Sequence, residues 1–465
     1  MPLWVGCDKE EVWESELQEI EFSCSEVDFD TVFTQCGTTT RQFKIYNRGS
    51  QNIRIDEVTL QRGYGSCFRL NVDGDTAMVA RRIEIASGDS CFVFVQATID
   101  PTGSAAHYIE TDTVLLRCGS VKRQLPLRAC GRTAVYHLPQ HTLQFADGSY
   151  PIDNFGNPYR YSVIDCANWR HDLPHVVVGY AVVDANSTLN LTAGDELYFY
   201  NDAVLWVYDS ATLNVQGTAS QPVRFTSMRH DGWYDFLPGQ WGYIWLSSGS
   251  RDNVISHAVI ENGTVGILAD TNVGGNPTLT IDHCEIHHHS MAGIIGQTAY
   301  IVASDLLVHT CGTATMALQY GGHYELDHCT LADYWSFSGR NNASVIVNNY
   351  LVVNNVAYLY PLTLARFSNS IIYGNRRDGE LLLDLDSHVA AVVDIDNTVV
   401  RGGDWDVDPR FVDPYNGDYR LFNGSPATGL GYRYENGSKQ LSHLPIQQNR
   451  KPIALAPPKK IALHP

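Results

Sequence analysis

The chain has 465 residues, 44% of them hydrophobic, with 51 acidic against 32 basic side chains for a net charge of −19. That length exceeds one ordinary core and supports two well-packed domains. The charge argues against nucleic acid, which needs a basic surface, and disfavours polyanionic substrates such as pectate unless Ca²⁺ bridges the charges; no run of 18 apolar residues is present to span a membrane.

At the start, Leu3-Trp4-Val5-Gly6-Cys7 is followed by Asp8-Lys9-Glu10-Glu11. These residues resemble the end of a bacterial lipoprotein signal with the acidic stretch of surface-exported lipoproteins. The resemblance implies lipidation at Cys7, a signal remnant and linker over residues 1–18, and an exported outer-membrane or cell-surface protein of a Gram-negative bacterium. Membrane contact is then only through the lipid on Cys7.

Residues 19–132 run through short alternating stretches such as "TRQFKIYNRG", "QNIRIDEVTL" and "VKRQLPLRACG", broken by Gly, Asn and Asp. Strands at that spacing predict an antiparallel β-sandwich. Tyr46-Asn47-Arg48-Gly49, Ile85-Ala86-Ser87-Gly88 and Leu125 to Gly131 resemble immunoglobulin-like modules of the major-sperm-protein type, which implies a spacer or docking role.

From Asn253 to Gly402 one motif recurs: an aliphatic, one residue, a small polar residue, two variable residues, then an aliphatic. The polar positions are His257, His283, Asp305, His328, Asn349, Asn369 and Asn397, at steps of 26, 22, 23, 21, 20 and 28 residues. A period near 22 that tolerates insertions marks a solenoid. Three places on stand Ile260, Ile286, Val308, Leu331, Val352, Ile372 and Val400, residues that suit strands, and no capped amphipathic helix intervenes. A parallel β-helix of three short strands per coil is predicted. Its successive coils lie ~4.8 Å apart.

The coils "LTIDHCEIHHHSMAGI", "YELDHCTLADYW" and "RFSNSIIYGN", with "QWGYIWL" upstream and Asp408-Pro409-Arg410-Phe411 downstream, resemble the pectate-lyase-like right-handed parallel β-helix superfamily. The likeness covers about residues 135–435, within a domain read as 133–435 that ends in a closing segment; residues 436–465 read as an extended tail. The superfamily holds lyases, hydrolases, adhesins and structural proteins, so fold alone does not fix function. The predicted fold class is all-β: an antiparallel sandwich followed by a right-handed parallel β-helix.

Eleven cysteines include no Cys-x-x-Cys pair, which excludes a zinc ribbon. Six fall in the sandwich, an even number that permits disulfides, whereas Cys284 and Cys329 sit two coils apart, ~9.6 Å, and read as unbridged core residues.

The ladder stacks Glu261, His287 and His309 beside His288 and His289. A carboxylate and imidazoles are the groups that proton transfer and Zn²⁺ binding need, so Glu261, His287 and His309 are catalytic candidates and His287, His288 and His309 metal candidates. A solvated histidine turn is the plainer account. For a lyase, Arg340 is the candidate base, with Asp270, Asp333, Asp384 and Asp386 as carboxylates for Ca²⁺.

Strand alternation sends Ile244 and Leu246 inward and Tyr243 and Trp245 outward, with Trp233 in the insertion 229–240. These rings suit sugar stacking, or else pack beneath the insertion. The reading is a surface-anchored or exported β-helix that binds a polysaccharide or cell-surface glycan, without cofactor. Its rivals are a Ca²⁺-assisted polysaccharide lyase or a glycoside hydrolase, and a rigid spacer.

Overall fold

A computed structural model of the protein describes residues 19–33, 40–100, 107–145, 147–152, 156–229, 232–428, 431–435 and 438–442. Cys7, Cys36 and most of the expected tail lie outside them. The protein is all-β, and it divides into two compact units between Ala134 and Val135.

The first unit is a sandwich that is antiparallel except for the edge strand Val27–Phe33, which pairs Val121–Arg132 in parallel. A four-stranded sheet runs Ile20–Phe22, Arg41–Asn47, Ser90–Ala97 and Phe68–Val72; a five-stranded sheet runs Val27–Phe33, Val121–Arg132, His107–Cys118, Ile53–Leu60 and Val79–Ile85. Alternation does the sorting: in Ser90–Ala97, Cys91, Val93, Val95 and Ala97 are buried while Phe92 and Phe94 face solvent. The inward set meets Phe43, Ile45, Ile55, Phe68 and Leu127 in one core, each large side chain contributing about 1.5–3 kcal/mol. The five described sandwich cysteines, Cys24, Cys67, Cys91, Cys118 and Cys130, are free thiols. Burial pushes Cys67 and Cys91 up to about 11, so these two are inert apolar fillers.

The second unit is a right-handed parallel β-helix with three strand columns. Along the first, Leu279 pairs Ile301, Ile301 pairs Tyr324, Tyr324 pairs Ala365 and Ala365 pairs Val393. Ile260, Ile286, Val308, Leu331, Ile372 and Val400 make the second column. Ile244, Ile267, Ile294, Met316, Val345 and Leu381 make the third. All but Val393, Val400 and Leu381 are almost wholly buried, and the columns share a single core.

The recurrent polar residue is the corner between the first and second columns. His257, His283, Asp305, His328, Asn369 and Asn397 all have positive φ, from 46° to 53°. One left-handed residue turns the chain between strands without a loop, and Asn, Asp and His tolerate that conformation better than other side-chain-bearing residues. The corners also bond along the axis: His257, His283, Asp305, His328 and Asn369 each donate their amide to a carbonyl of the next coil at 3.1–3.3 Å. The next residue points inward, which places Cys284 and Cys329 in the core as free thiols.

Asn349 breaks the series. It lies outside the positive-φ set, and its side chain instead bonds Asp386 while its carbonyl accepts from Tyr360 N. Between these anchors the chain leaves the coil as a hairpin, Tyr350–Val353 against Val356–Leu359. Val352, expected among the stacked strands, is 54% exposed on that hairpin. Its spacing copies the repeat, but its strand pairs antiparallel and has no inward side.

At the far end, Phe411–Asp413 pairs Asp418–Leu421, and Tyr334, Trp405, Phe411 and Leu421 pack over Ile371, Tyr373 and Val399. This closing segment covers the outer side of the second column. A further hairpin, Gly431–Glu435 with Ser438–Ser442, spans the point where the extended tail was expected to begin.

Candidate functional site

The polar cluster is built on the outer side of the second column. Because Ile286 points into the core, its neighbours Glu285 and His287 point out. Register then sets Glu261 and His309 on either side of His287, as the stacking reading expects. The His287 and His309 rings stack at 4.9 Å and 15°. His287 Nε2 lies 3.3 Å from Glu261 Oε2 and 3.8 Å from Glu285 Oε1; His309 Nε2 lies 3.4 Å from the same Glu285 oxygen. Arg224 fixes Glu261 from the preceding coil at 2.9 Å.

The cluster is nearly enclosed. The side chains of Glu261 and Glu285 are 13% and 12% exposed, and that of His309 only 2%. Tyr419 of the closing segment lies against the His309 ring at 4.6 Å. Phe236 and Phe337 flank His288 at 6.3 and 6.1 Å. Asn262 donates to Asp235 O and Leu237 O, both at 3.0 Å, and so fastens the helical turn Gly232–Phe236 beside the cluster.

The three consecutive histidines do three different things. His287 faces the carboxylates. His288 adopts φ 55°, and its Nδ1 meets His287 Nδ1 at 2.7 Å; burial, with His309 and His289 nearby, pushes it down to about 3. His289 turns into the core, donates Nε2–H to Ile260 O at 3.2 Å, and is pushed by burial down to about 4. His288 and His289 are therefore neutral imidazoles at pH 7. The sequence reading missed Glu285 and Arg224. The signal for Glu285 was in "EIHHH", where it stands two residues before His287 on the same face.

The aromatic residues gather elsewhere, on the outer side of the third column. Ile244 and Leu246 are fully buried and Trp245 points out, as alternation requires. Trp245 is half-buried: its ring stacks on Trp206 of the coil below at 4.7 Å and 14°, and its Nε1 donates to Asp270 at 2.7 Å. Tyr243 meets Trp245 edge-on at 6.5 Å, and Tyr180 and Tyr208 meet Trp206 edge-on at 6.4 and 5.3 Å. Tyr159 continues the row, at 5.4 Å from Tyr180. The stripe thus has six rings where sequence named two. One face of Trp245 is occupied by Trp206, and the open positions include Tyr208, 42% exposed. Trp233 sits in the Gly232–Phe236 turn, and its side chain lies outside the described residues. Among the described residues that turn bonds Asn262 and Gln240 and packs Phe236 against His288.

Arg340 is not placed as a base. Its guanidinium is 2% exposed and donates two bonds to the fully buried Glu380 at 2.6 and 2.8 Å, with further bonds to Asp333 O, Asn342 O and Asn375. Glu380 also accepts from Ser344 N and Arg376 N. A guanidinium forked onto a buried carboxylate is a permanent cation that reaches no substrate, so this pair ties the loops around 340 and 376–380 together. Burial raises Asp333 to about 7, partly offset by Arg340.

The remaining carboxylates scatter. Asp270 serves Trp245, Asp384 accepts from Tyr350 at 2.6 Å, and Asp386 is held by Asn349 and His388. The described residues therefore bring no pair of these four together as a Ca²⁺ cradle.

No protein-family model and no curated protein matches this sequence. Among solved structures, the catalytic unit of a thermostable GH87 α-1,3-glucanase from Streptomyces thermodiastaticus strain HF3-3 is similar at 11% identity, covering 77% of this chain and 74% of its own, with a TM-score of 0.31. The ASH / PapD-like domain of human CEP192 is similar at 15% identity, over 25% of this chain and 84% of its own, with a TM-score of 0.17. The YadV chaperone is similar at 13% identity over 25% of this chain, which spans 52% of that structure, again with a TM-score of 0.17.

Proposed function

We propose that this is an exported β-helix protein of the pectate-lyase-like kind that binds a neutral glycan along the stripe of Tyr159, Tyr180, Trp206, Tyr208, Tyr243 and Trp245. The observation that carries the reading is the continuity of six rings on one outer side of the solenoid. Rings set edge-on to one another combine apolar faces with hydroxyl donors, which suits the alternating C–H and O–H groups of a sugar. Asp270 adds an acceptor, and the net charge of −19 favours a neutral chain over a polyanion. Lipid anchoring at Cys7 and a docking role for the sandwich complete the proposal; it needs no cofactor and no nucleic acid.

A second reading, glycoside hydrolysis or polysaccharide cleavage, is favoured by one arrangement: Glu261 and Glu285 both face His287 on the covered side of the second column. Carboxylates in unlike surroundings are what acid and base roles require.

Affinity electrophoresis of the purified protein through gels carrying neutral or acidic polysaccharides, with and without Ca²⁺, separates these readings. Retention on a neutral polysaccharide that Tyr208→Ala abolishes without a change in Tm supports the stripe. Trp245→Ala should weaken retention and also cost about 2 kcal/mol of stability, because its ring packs on Trp206. Release of oligosaccharide selects the enzyme. Retention indifferent to both substitutions overturns the stripe, and no retention leaves a spacer.

A further inference from the structure

We infer that Glu285, His287 and His309 form a binding site for one divalent transition-metal ion of the zinc type. Each offers a donor atom, and the three atoms all lie within 4.8 Å of one another. Of the two separations from Glu285 Oε1, the 3.4 Å to His309 Nε2 is at most a weak hydrogen bond and the 3.8 Å to His287 Nε2 is too long for one. Both are of the size that ligands around a shared ion take, the 3.8 Å one after a small closure. Ligands ~2.1 Å from a tetrahedral zinc stand ~3.4 Å apart along each edge.

The surroundings agree with this chemistry. His309 Nδ1 meets Thr310 Oγ1 at 2.9 Å, which settles its ring with Nε2 turned to the site. His287 Nδ1 meets His288 Nδ1 at 2.7 Å, a bond that occupies that nitrogen and leaves His287 Nε2 facing the site as the ligand atom. Outer partners of this kind orient metal-bound imidazoles. Glu261, clamped by Arg224 at 2.9 Å, stands beside the set and adds negative charge next to the ion. Two carboxylates against one guanidinium leave an excess of negative charge in a nearly enclosed place, which a divalent cation would neutralise. Three protein ligands with one remaining position is the pattern of reactive zinc sites, whereas structural sites are closed by four.

A second group, His257, Asp282 and His283, also brings three donor atoms together. It belongs to the corner ladder: the His257 and His283 rings stack at 4.7 Å, and Asp282 bonds His283 Nδ1 at 2.8 Å and Ser256 at 3.0 Å. It serves here as the control.

The test is titration of chelator-treated full-length protein with Co²⁺, read by its visible absorption, followed by competition with Zn²⁺ and by melting. One equivalent should bind with the intense bands of a four-coordinate ion, Zn²⁺ should displace it, and Tm should rise. Glu285→Gln and His287→Gln should each weaken binding by about 100-fold or more, beyond what loss of an outer partner costs. His283→Asn should change nothing. Melting of each variant without metal checks that it folds, and the wild-type stoichiometry and spectrum decide the matter independently of either variant. No equivalent bound at pH 7, an octahedral spectrum of low intensity, or binding removed by His283→Asn but kept in Glu285→Gln would each overturn the site.

Discussion

The two units treat buried charge in opposite ways. Among the described residues, the sandwich buries only Asn47, Ser66 and Asp112 as polar side chains in a core that is otherwise apolar. The β-helix buries His175, His287, His289, His309, His328, Glu285, Asp333 and Glu380. The cause is architectural. Each sandwich sheet has one outer face in water, so alternation alone separates polar from apolar. The outer side of the solenoid's second column is roofed by the Gly232–Phe236 turn and the 405–427 segment, so outward residues are buried too, and polar ones persist there only in pairs. Chemistry is therefore to be sought where the solenoid is covered twice.

The harshest way to test the contrast is to put charge where neither unit tolerates it. Ile286→Asp sets an unpaired carboxylate in the solenoid core and should cost several kcal/mol, enough to open the neighbouring coils. Calorimetry should then show the sandwich transition intact and the solenoid transition lost or lowered by many degrees. Retention of both transitions would place Ile286 outside the core.

Acid should act next most strongly, and on one unit. Burial pushes His137, His175 and His289 down to about 4 and His288 to about 3, all below the unfolded value of about 6.5. The unfolded chain then binds more protons, so the stability these groups contribute is present above pH 6.5 and lost as pH falls toward 4. Asp333, raised to about 7, works the other way: its contribution is present below its unfolded value of 3.8 and lost as pH rises through 7. Four histidines outweigh one aspartate. The solenoid should lose on the order of 5 kcal/mol by pH 5.5, whereas the sandwich, with no histidine among its described side chains, should change far less. Parallel loss in both units would contradict the contrast.

Removing half of the buried ion pair should cost somewhat less. Arg340→Met leaves Glu380 and Asp333 without their cation, an expected loss of about 3–4 kcal/mol in urea unfolding. Adding Glu380→Gln should restore part of it, because the stranded charge is gone. A loss that is unchanged in the double variant would assign it to packing instead.

How much of this was legible follows the same line. The corner ladder could be read because one backbone demand, a left-handed residue, recurs with one chemical answer at His257, His283, Asp305, His328, Asn369 and Asn397. Register followed from it, and so did the stacking of Glu261, His287 and His309. Val352 misled because spacing carries no information on whether a strand pairs parallel or turns back on itself. The Arg340–Glu380 pair was illegible because its partners are 40 residues apart on loops, where no period links them. Trp245 was read correctly as outward, but its Trp206 partner requires knowing which residues of a 12-residue strand face the next coil.

The smallest expected effect is the sharpest test of the corners. His328 is 2% exposed, has φ 53°, and its Nδ1 meets Asp327 at 2.7 Å. Were it kept for its imidazole, any replacement would be costly. If the corner demands only a left-handed residue with a short polar group, Asn should serve, since Asn369 in the coil above already donates to the same Asp327 at 2.7 Å. His328→Asn should then change stability by no more than about 0.5 kcal/mol, the range of a benign substitution. His328→Val, matched for burial but β-branched and unable to hydrogen-bond, should cost about 1–2 kcal/mol for the left-handed backbone alone. Urea unfolding of the two variants side by side isolates the backbone demand from the imidazole. Equal losses in both would mean that the ring itself, and not the corner, holds this coil.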